Sequence, residues 1–132
     1  MMDSIKQISP DLANNYLQAF ALLIDLREGD EVEQLSFKVP CVNNIAYSLF
    51  SQNYMDIPKD SKIIFACQFG VDSPKAAQFL LEQGWEADKI FTLEGGMDAW
   101  QKGNFPTIKI ERGFTMGKAS FTQSIDGSDL TF

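Results

Sequence analysis

The apolar residues of this chain fall into two repeating patterns, short unbroken runs and longer stretches spaced at three and four. The unbroken runs are ALLIDL at 21–26, KIIFA at 62–66 and KIFTL at 89–93. Runs of this length without polar alternation predict strands covered on both faces. SIKQIS at 4–9 and VPCVNNI at 39–45 predict two further short strands. Helical stretches lie between them. SPDLANNYLQAF at 9–20 offers Ser9 as an N-cap and Pro10 as the first helical residue, with Leu12, Tyr16 and Ala19 at helical spacing. SPKAAQFLLEQG at 73–84 is the clearest helix. Ser73 reads as its cap, Pro74 as its first residue, Ala76, Ala77, Leu80 and Leu81 as its apolar stripe, and Gly84 as its stop. EGDEVEQL at 28–35 predicts one or two exposed, acidic turns. AYSLFSQNYM at 46–55 predicts a helix with Ala46, Leu49, Phe50 and Tyr54 on one face, and IPKD at 57–60 a turn. GGMDAWQKG at 95–103 predicts a short helix entered through two glycines.

Strands that alternate with helices pair in parallel through right-handed crossovers. The predicted architecture is an α/β fold, a three-layer α/β/α sandwich with a mostly parallel sheet of four or five strands. Working groups in such sheets lie outside the carboxyl ends of the strands. Cys67 follows one apolar run and Asp25 lies at the end of another, so both are expected in one crevice. The pattern changes after Pro106. TIKIE at 107–111 alternates like a half-exposed strand, and residues 112–132 are rich in Gly, Ser and Thr, with no strong period. Residues 1–106 therefore read as one domain and 107–132 as a C-terminal extension. That extension is either a partly ordered tail or a hairpin or arm that packs on the domain or on a second subunit.

Composition narrows the function. The chain has 132 residues, 45% of them hydrophobic and 22% charged, which suits one soluble folded domain. No stretch is long and apolar enough for a membrane span, and the N-terminal MMDSIKQISP lacks a secretory pattern, so a cytoplasmic protein is expected. A formal charge of −7 disfavours nucleic acid and anionic membrane as partners. There is no histidine, which removes the commonest general base and metal ligand. The two cysteines, Cys41 and Cys67, form neither a CxxC pair nor a zinc pattern and are expected as free thiols.

The segment IIFACQFGVDSPKAAQFLL at 63–81 carries the chemistry. Residues 67–73 join a buried strand to a helix N-terminus. Backbone N–H groups in such a loop can face inward as an anion nest, and the helix dipole adds positive potential. A cysteine that opens the loop has its thiolate form favoured there. Gly70 supplies the backbone freedom that the turn needs. The competing reading of Cys67 is a small buried hydrophobe.

Four blocks in order give the chain a resemblance to the rhodanese-like domain family. ALLIDLRE at 21–28 resembles the family's strand ending in Asp-x-Arg-Glu, and KVPCVNNI at 38–45 its His-Ile-Pro-Gly-Ala-x-Asn-Ile stretch. Residues 63–85 resemble the active-site strand, cysteine loop and helix, and IFTLEGGMDAWQKGNFP at 90–106 resembles the Leu-x-Gly-Gly-x-x-x-Trp close. The resemblance implies a sulfurtransferase of the single-domain type. Its loop cysteine, here Cys67, accepts sulfane sulfur as a persulfide and passes it to a thiol or protein acceptor, with neither metal nor organic cofactor. The loop positions are Gln68, Phe69, Gly70, Val71, Asp72 and Ser73.

The departures from the family are informative. Gln68 and Asp72 stand where the family often carries basic residues, Lys38 where it has histidine, and Cys41 where it has glycine. Asp72 opposes both a thiolate and a dianionic donor such as thiosulfate. The alternative function is a catalytically weak or inactive rhodanese-fold module that binds a partner protein; redox sensing through Cys67 is a third. Phosphatase chemistry on this fold needs an arginine where Ser73 stands. Asp25 and Arg27 are supporting residues, each with a structural alternative in a strand-end hydrogen bond or ion pair. Lys38 either reaches the mouth of the site as its cation or is solvated. Gly95 and Gly96 serve a turn, Trp100 the core, and Cys41 either the core or a resolving thiol.

Overall fold

The protein is represented by a computed structural model that describes residues 5–109. The expected tail, hairpin or arm over 112–132 lies outside the described residues. The main sheet has five strands, all parallel, in the order β1-β6-β5-β2-β4. These are β1 (Lys6–Ile8), β2 (Leu22–Asp25), β4 (Val42–Asn44), β5 (Ile63–Ala66) and β6 (Ile90–Leu93). A second, two-stranded antiparallel sheet pairs β3 (Leu35–Phe37) with β7 (Thr107–Lys109). β3 was not foreseen, because three residues are too short for an alternation to be read. Its partner lies in the stretch expected to be a half-exposed strand.

Helices cover both faces, as the unbroken apolar runs require. β5 shows the division residue by residue. Ile64 and Ala66 face a core that also holds Ala13 and Leu17 of α1 (Pro10–Gln18) and Met97 and Trp100 of α5 (Gly96–Lys102). Ile63, Phe65 and Cys67 face the opposite core, with Phe50 of α3 (Phe50–Asn53) and Ala76, Ala77 and Leu80 of α4 (Ser73–Glu82). Cys67 thus continues the period-two alternation of its strand.

Ser9 caps α1, its Oγ accepting from Leu12 N at 3.3 Å. The buried face of α1 carries Ala13 and Leu17, with Leu12 exposed on the other side, so the expected Leu12, Tyr16, Ala19 stripe was turned from the true one. The stretch 46–55 is shorter-ranged than predicted. Only 50–53 is α-helical, flanked by 3₁₀ turns at Tyr47–Leu49 and Tyr54–Asp56. α2 (Gly29–Gln34) is a short helix with no buried residue, as its acidic sequence suggested. Gly84, at φ +108°, closes α4.

Candidate active site

β5 and β2 lie side by side, with Asp25 level with Ala66, so the segments that follow them meet at one sheet end. Cys67 opens the loop after β5. The side chain is 4% exposed at the base of a cleft of about 200 Å³, lined by Leu26, Arg27, Glu28, Glu31, Tyr47, Ser48, Gln68 and Asp72. Two neutral donors reach its sulfur. Gly70 N lies 3.1 Å from Sγ and Ser73 Oγ lies 3.2 Å from it. Gly70 holds φ +87°, the left-handed region that glycine tolerates, and this turn aims its N–H at the sulfur.

Ser73 has a different task from the cap expected of it. It is the first residue of α4, and Asp72 holds the cap position without a side-chain cap bond. The Ser73 hydroxyl is fully buried and turned back onto Cys67 Sγ. The loop closes so tightly that the hydroxyl meets the thiol before it can meet the free N–H groups of the helix. Pro74, at the second helical position, has no N–H that would need that cap.

The loop backbone is held from beneath by α5. Met97 N donates to Cys67 O at 2.8 Å and Asp98 N to Gln68 O at 3.0 Å. This approach needs Gly96. A Cβ there would stand 2.2 Å from Cys67 O and 2.8 Å from the Gln68 carbonyl carbon, and its φ is +61°. The double glycine therefore does more than turn the chain. Trp100 is buried and donates from its indole nitrogen to Pro106 O at 2.8 Å, a core role.

Asp25 does not join Cys67 in the cleft. It sits between Ile24 and Leu26, which both face the Cys67 side, so alternation turns its side chain to the other face. There the carboxylate takes Arg27 Nε at 3.1 Å, Arg27 NH2 at 2.9 Å and the Arg27 backbone N–H at 3.1 Å. The Arg27 guanidinium also donates to Leu35 O at 2.6 Å and lies 5.7 Å from the Phe37 ring centroid. Both side chains are at least 97% buried. Arg27 lines the cleft, but its charge is spent on Asp25. Lys38 is exposed, its backbone N–H donates to Pro106 O, and it is not among the lining residues. Cys41 is half-buried beside β4 and is a free thiol, as is Cys67.

Glu28 and Glu31 are cleft residues that the sequence reading left as an exposed acidic turn. The signal was present, since parallel β2 and β5 place their following loops together. Glu28 Oε1 accepts from Ser48 Oγ at 3.2 Å, and Glu31 Oε1 accepts from Glu28 N at 3.2 Å. Asp72 has only an exposed partner, Lys75 at 3.8 Å. The cleft above the thiol therefore carries three carboxylates and one cation already neutralised. Among the described residues, no cluster of His, Cys, Asp and Glu could hold a metal ion, and no helix is long and apolar enough to cross a membrane.

Known proteins are similar to this chain in sequence and fold. Thiosulfate sulfurtransferase GlpE of Haemophilus influenzae strain PittEE is 33% identical over 107 residues, 78% of this chain and 94% of that protein. GlpE of Vibrio cholerae O395 is 30% identical over 80% of this chain and 96% of its own length. A rhodanese-related protein from Thermoplasma volcanium superposes with a TM-score of 0.66 at 25% identity, covering 78% of this chain and 97% of that one. The rhodanese-like domain of an Anabaena protein shares the fold at a TM-score of 0.68 and 16% identity, covering 93% of each chain. The sequence model of the rhodanese-like domain matches residues 9–103. The chain belongs to the rhodanese-like domain family.

Proposed function

We propose that the protein is a sulfurtransferase that carries sulfane sulfur on Cys67 as a persulfide. The observation that carries this reading is the sulfur itself, at the base of a cleft, receiving one N–H from Gly70 and one O–H from Ser73. Both donors aim at the atom that would attack the donor's sulfur and then carry the transferred one. The likeness to proteins named thiosulfate sulfurtransferase supports the same chemistry.

The Cys67 thiolate attacks the outer sulfur of a persulfide donor R–S–SH. The donor S–S bond breaks, R–S⁻ leaves, and Cys67–S–SH forms. An acceptor thiolate R′–S⁻ then attacks the outer sulfur, giving R′–S–SH and regenerating the Cys67 thiolate. Electrons balance within each exchange, so no external oxidant takes part. Thiosulfate enters the same scheme with sulfite leaving, but as a dianion it meets Glu28, Glu31 and Asp72 at the mouth. Neutral or protein-bound donors suit the cleft better. The proposed setting is the cytoplasm, where reductants keep both cysteines as thiols.

Incubation with an alkyl persulfide followed by intact-mass measurement tests this reading. One sulfur should be gained, be lost again on dithiothreitol treatment, and be absent from Cys67→Ser. Thiosulfate should load more slowly than the neutral donor. The acidic lining favours one other reading, a partner-binding module without turnover. A folded protein that gains no sulfur from any donor would select it.

A further inference from the structure

We propose that the rim of the Cys67 cleft docks a basic protein segment, whose own cysteine exchanges sulfur with Cys67. This rests on the sulfur-carrier reading above and adds the chemistry of the partner. Charge is the first observation. Glu28, Glu31 and Asp72 line the cleft, and its one cation, Arg27, is committed to Asp25 and Leu35 O. Among the described residues, neither Glu28 nor Glu31 has a cation within ion-pair distance. Asp72 has Lys75 at 3.8 Å, an exposed pair, so the unmatched charge above Cys67 comes chiefly from Glu28 and Glu31, which repel an anionic partner and attract a cationic one.

The loop's apolar side chains are the second observation. Residues alternate along it. Gln68 and Asp72 line the cleft and Gly70 bonds the sulfur, whereas Phe69 and Val71 stand 65% and 64% exposed on the outer surface. A small donor seated in a cleft of about 200 Å³ does not reach both outward faces. A protein surface does, and exposed aromatic side chains beside a functional pocket are common anchors for one.

Continuity is the third. A neighbouring groove of about 330 Å³ shares Tyr47 and Ser48 with the cleft and runs to Phe50 and Phe79; its one charged lining residue is Lys75, so this end suits the segment's apolar residue rather than its cations. An extended segment can thus lay its cysteine over Cys67, place lysines or arginines against Glu28, Glu31 and Asp72, and set an apolar residue toward Phe79.

Two synthetic peptides of equal length test the proposal. Each carries one cysteine beside a leucine, flanked by lysines in one and glutamates in the other. After Cys67 is loaded with sulfur, transfer to the basic peptide should be at least about tenfold faster at low ionic strength, with the ratio falling in added salt. Glu28→Lys with Glu31→Lys should erase or invert the preference. Phe69→Ser should slow transfer to the basic peptide more than transfer to cysteamine, a small cationic thiol. Equal peptide rates at low salt would overturn the proposal, as would a Phe69→Ser effect no larger on the peptide than on cysteamine. Binding is read separately, by fluorescence anisotropy with the cysteine of each peptide replaced by serine and with unloaded full-length protein. Salt-sensitive binding of the basic peptide alone, with no sulfur loading on Cys67, would sustain the docking surface while removing the sulfur-carrier reading. Binding of neither peptide would remove the docking surface.

Discussion

β2 and β5 run side by side to the same end of the sheet, and each ends at an almost fully buried polar group. At the end of β2 the group is Asp25, and within two residues the chain supplies Arg27 to neutralise it. The pair is almost fully buried, each oxygen of the carboxylate is bonded, and the guanidinium is further held by Leu35 O. After β5 the group is Cys67, and the chain supplies only neutral donors, Gly70 N–H and Ser73 O–H. At the first end the carboxylate is matched by a cation. At the second the sulfur has only neutral donors and lies beneath an open cleft. Burial is similar in both places, so what separates the two groups is whether the chain supplies a charged partner or neutral donors.

The largest expected effect breaks the matched end. Arg27→Met strands a buried carboxylate and should lower stability by about 3–5 kcal/mol, read as a fall in the urea midpoint. Asp25→Leu added to Arg27→Met should recover most of that loss. A single-variant loss below about 1 kcal/mol would show that water reaches Asp25. Gly96→Ala comes next. It forces a Cβ against Cys67 O in a left-handed residue, so about 2–4 kcal/mol should be lost, with slower sulfur loading even where the protein stays folded. Unchanged loading would mean that the loop is set without α5.

Ser73→Ala removes one donor from the sulfur. Iodoacetamide alkylation and sulfur loading should fall about tenfold, the worth of a hydrogen bond to a charged group, with much of the rate restored in Ser73→Thr. A loss of stability with no loss of rate would make Ser73 a packing residue. Asp72→Arg has the smallest expected effect, because the Asp72 side chain is 42% exposed. Thiosulfate loading should rise several-fold at low salt, and the gain should shrink as salt is added. A salt-independent change would point to altered loop shape rather than charge.

The fold was legible where one signal sufficed. Unbroken runs such as IIFA belong to strands buried on both faces, and the observed strand is buried throughout. Ser9 and Pro10 announced α1 through local bonds alone. The site was less legible, because its chemistry depends on side-chain direction. Ser73 looks like a helix cap in sequence, and only the tightness of the loop shows that its hydroxyl bonds sulfur instead. Asp25 seemed to share the crevice with Cys67 because both follow strands at one sheet end. Alternation decides otherwise, and it could have been counted from Ile24 and Leu26. Glu28 and Glu31 belong to no local motif; the signal for their proximity to Cys67 lies in the strand order, which brings the segments after β2 and β5 together.

The bonds from Met97 and Asp98 to the carbonyls of Cys67 and Gln68 have a consequence in time. A peptide plane whose oxygen is pinned on one side presents its N–H on the other, so α5 fixes the planes that carry the Gln68 and Phe69 N–H groups, the first two of the loop. α5 follows β6, and β6 must dock beside β5 before those bonds exist. A nascent chain that has emerged only as far as α4 already contains Cys67, Gly70 and Ser73, yet lacks the helix that pins the first two carbonyls of their loop. The loop that holds Cys67 is therefore braced only once β6 and α5 are in place.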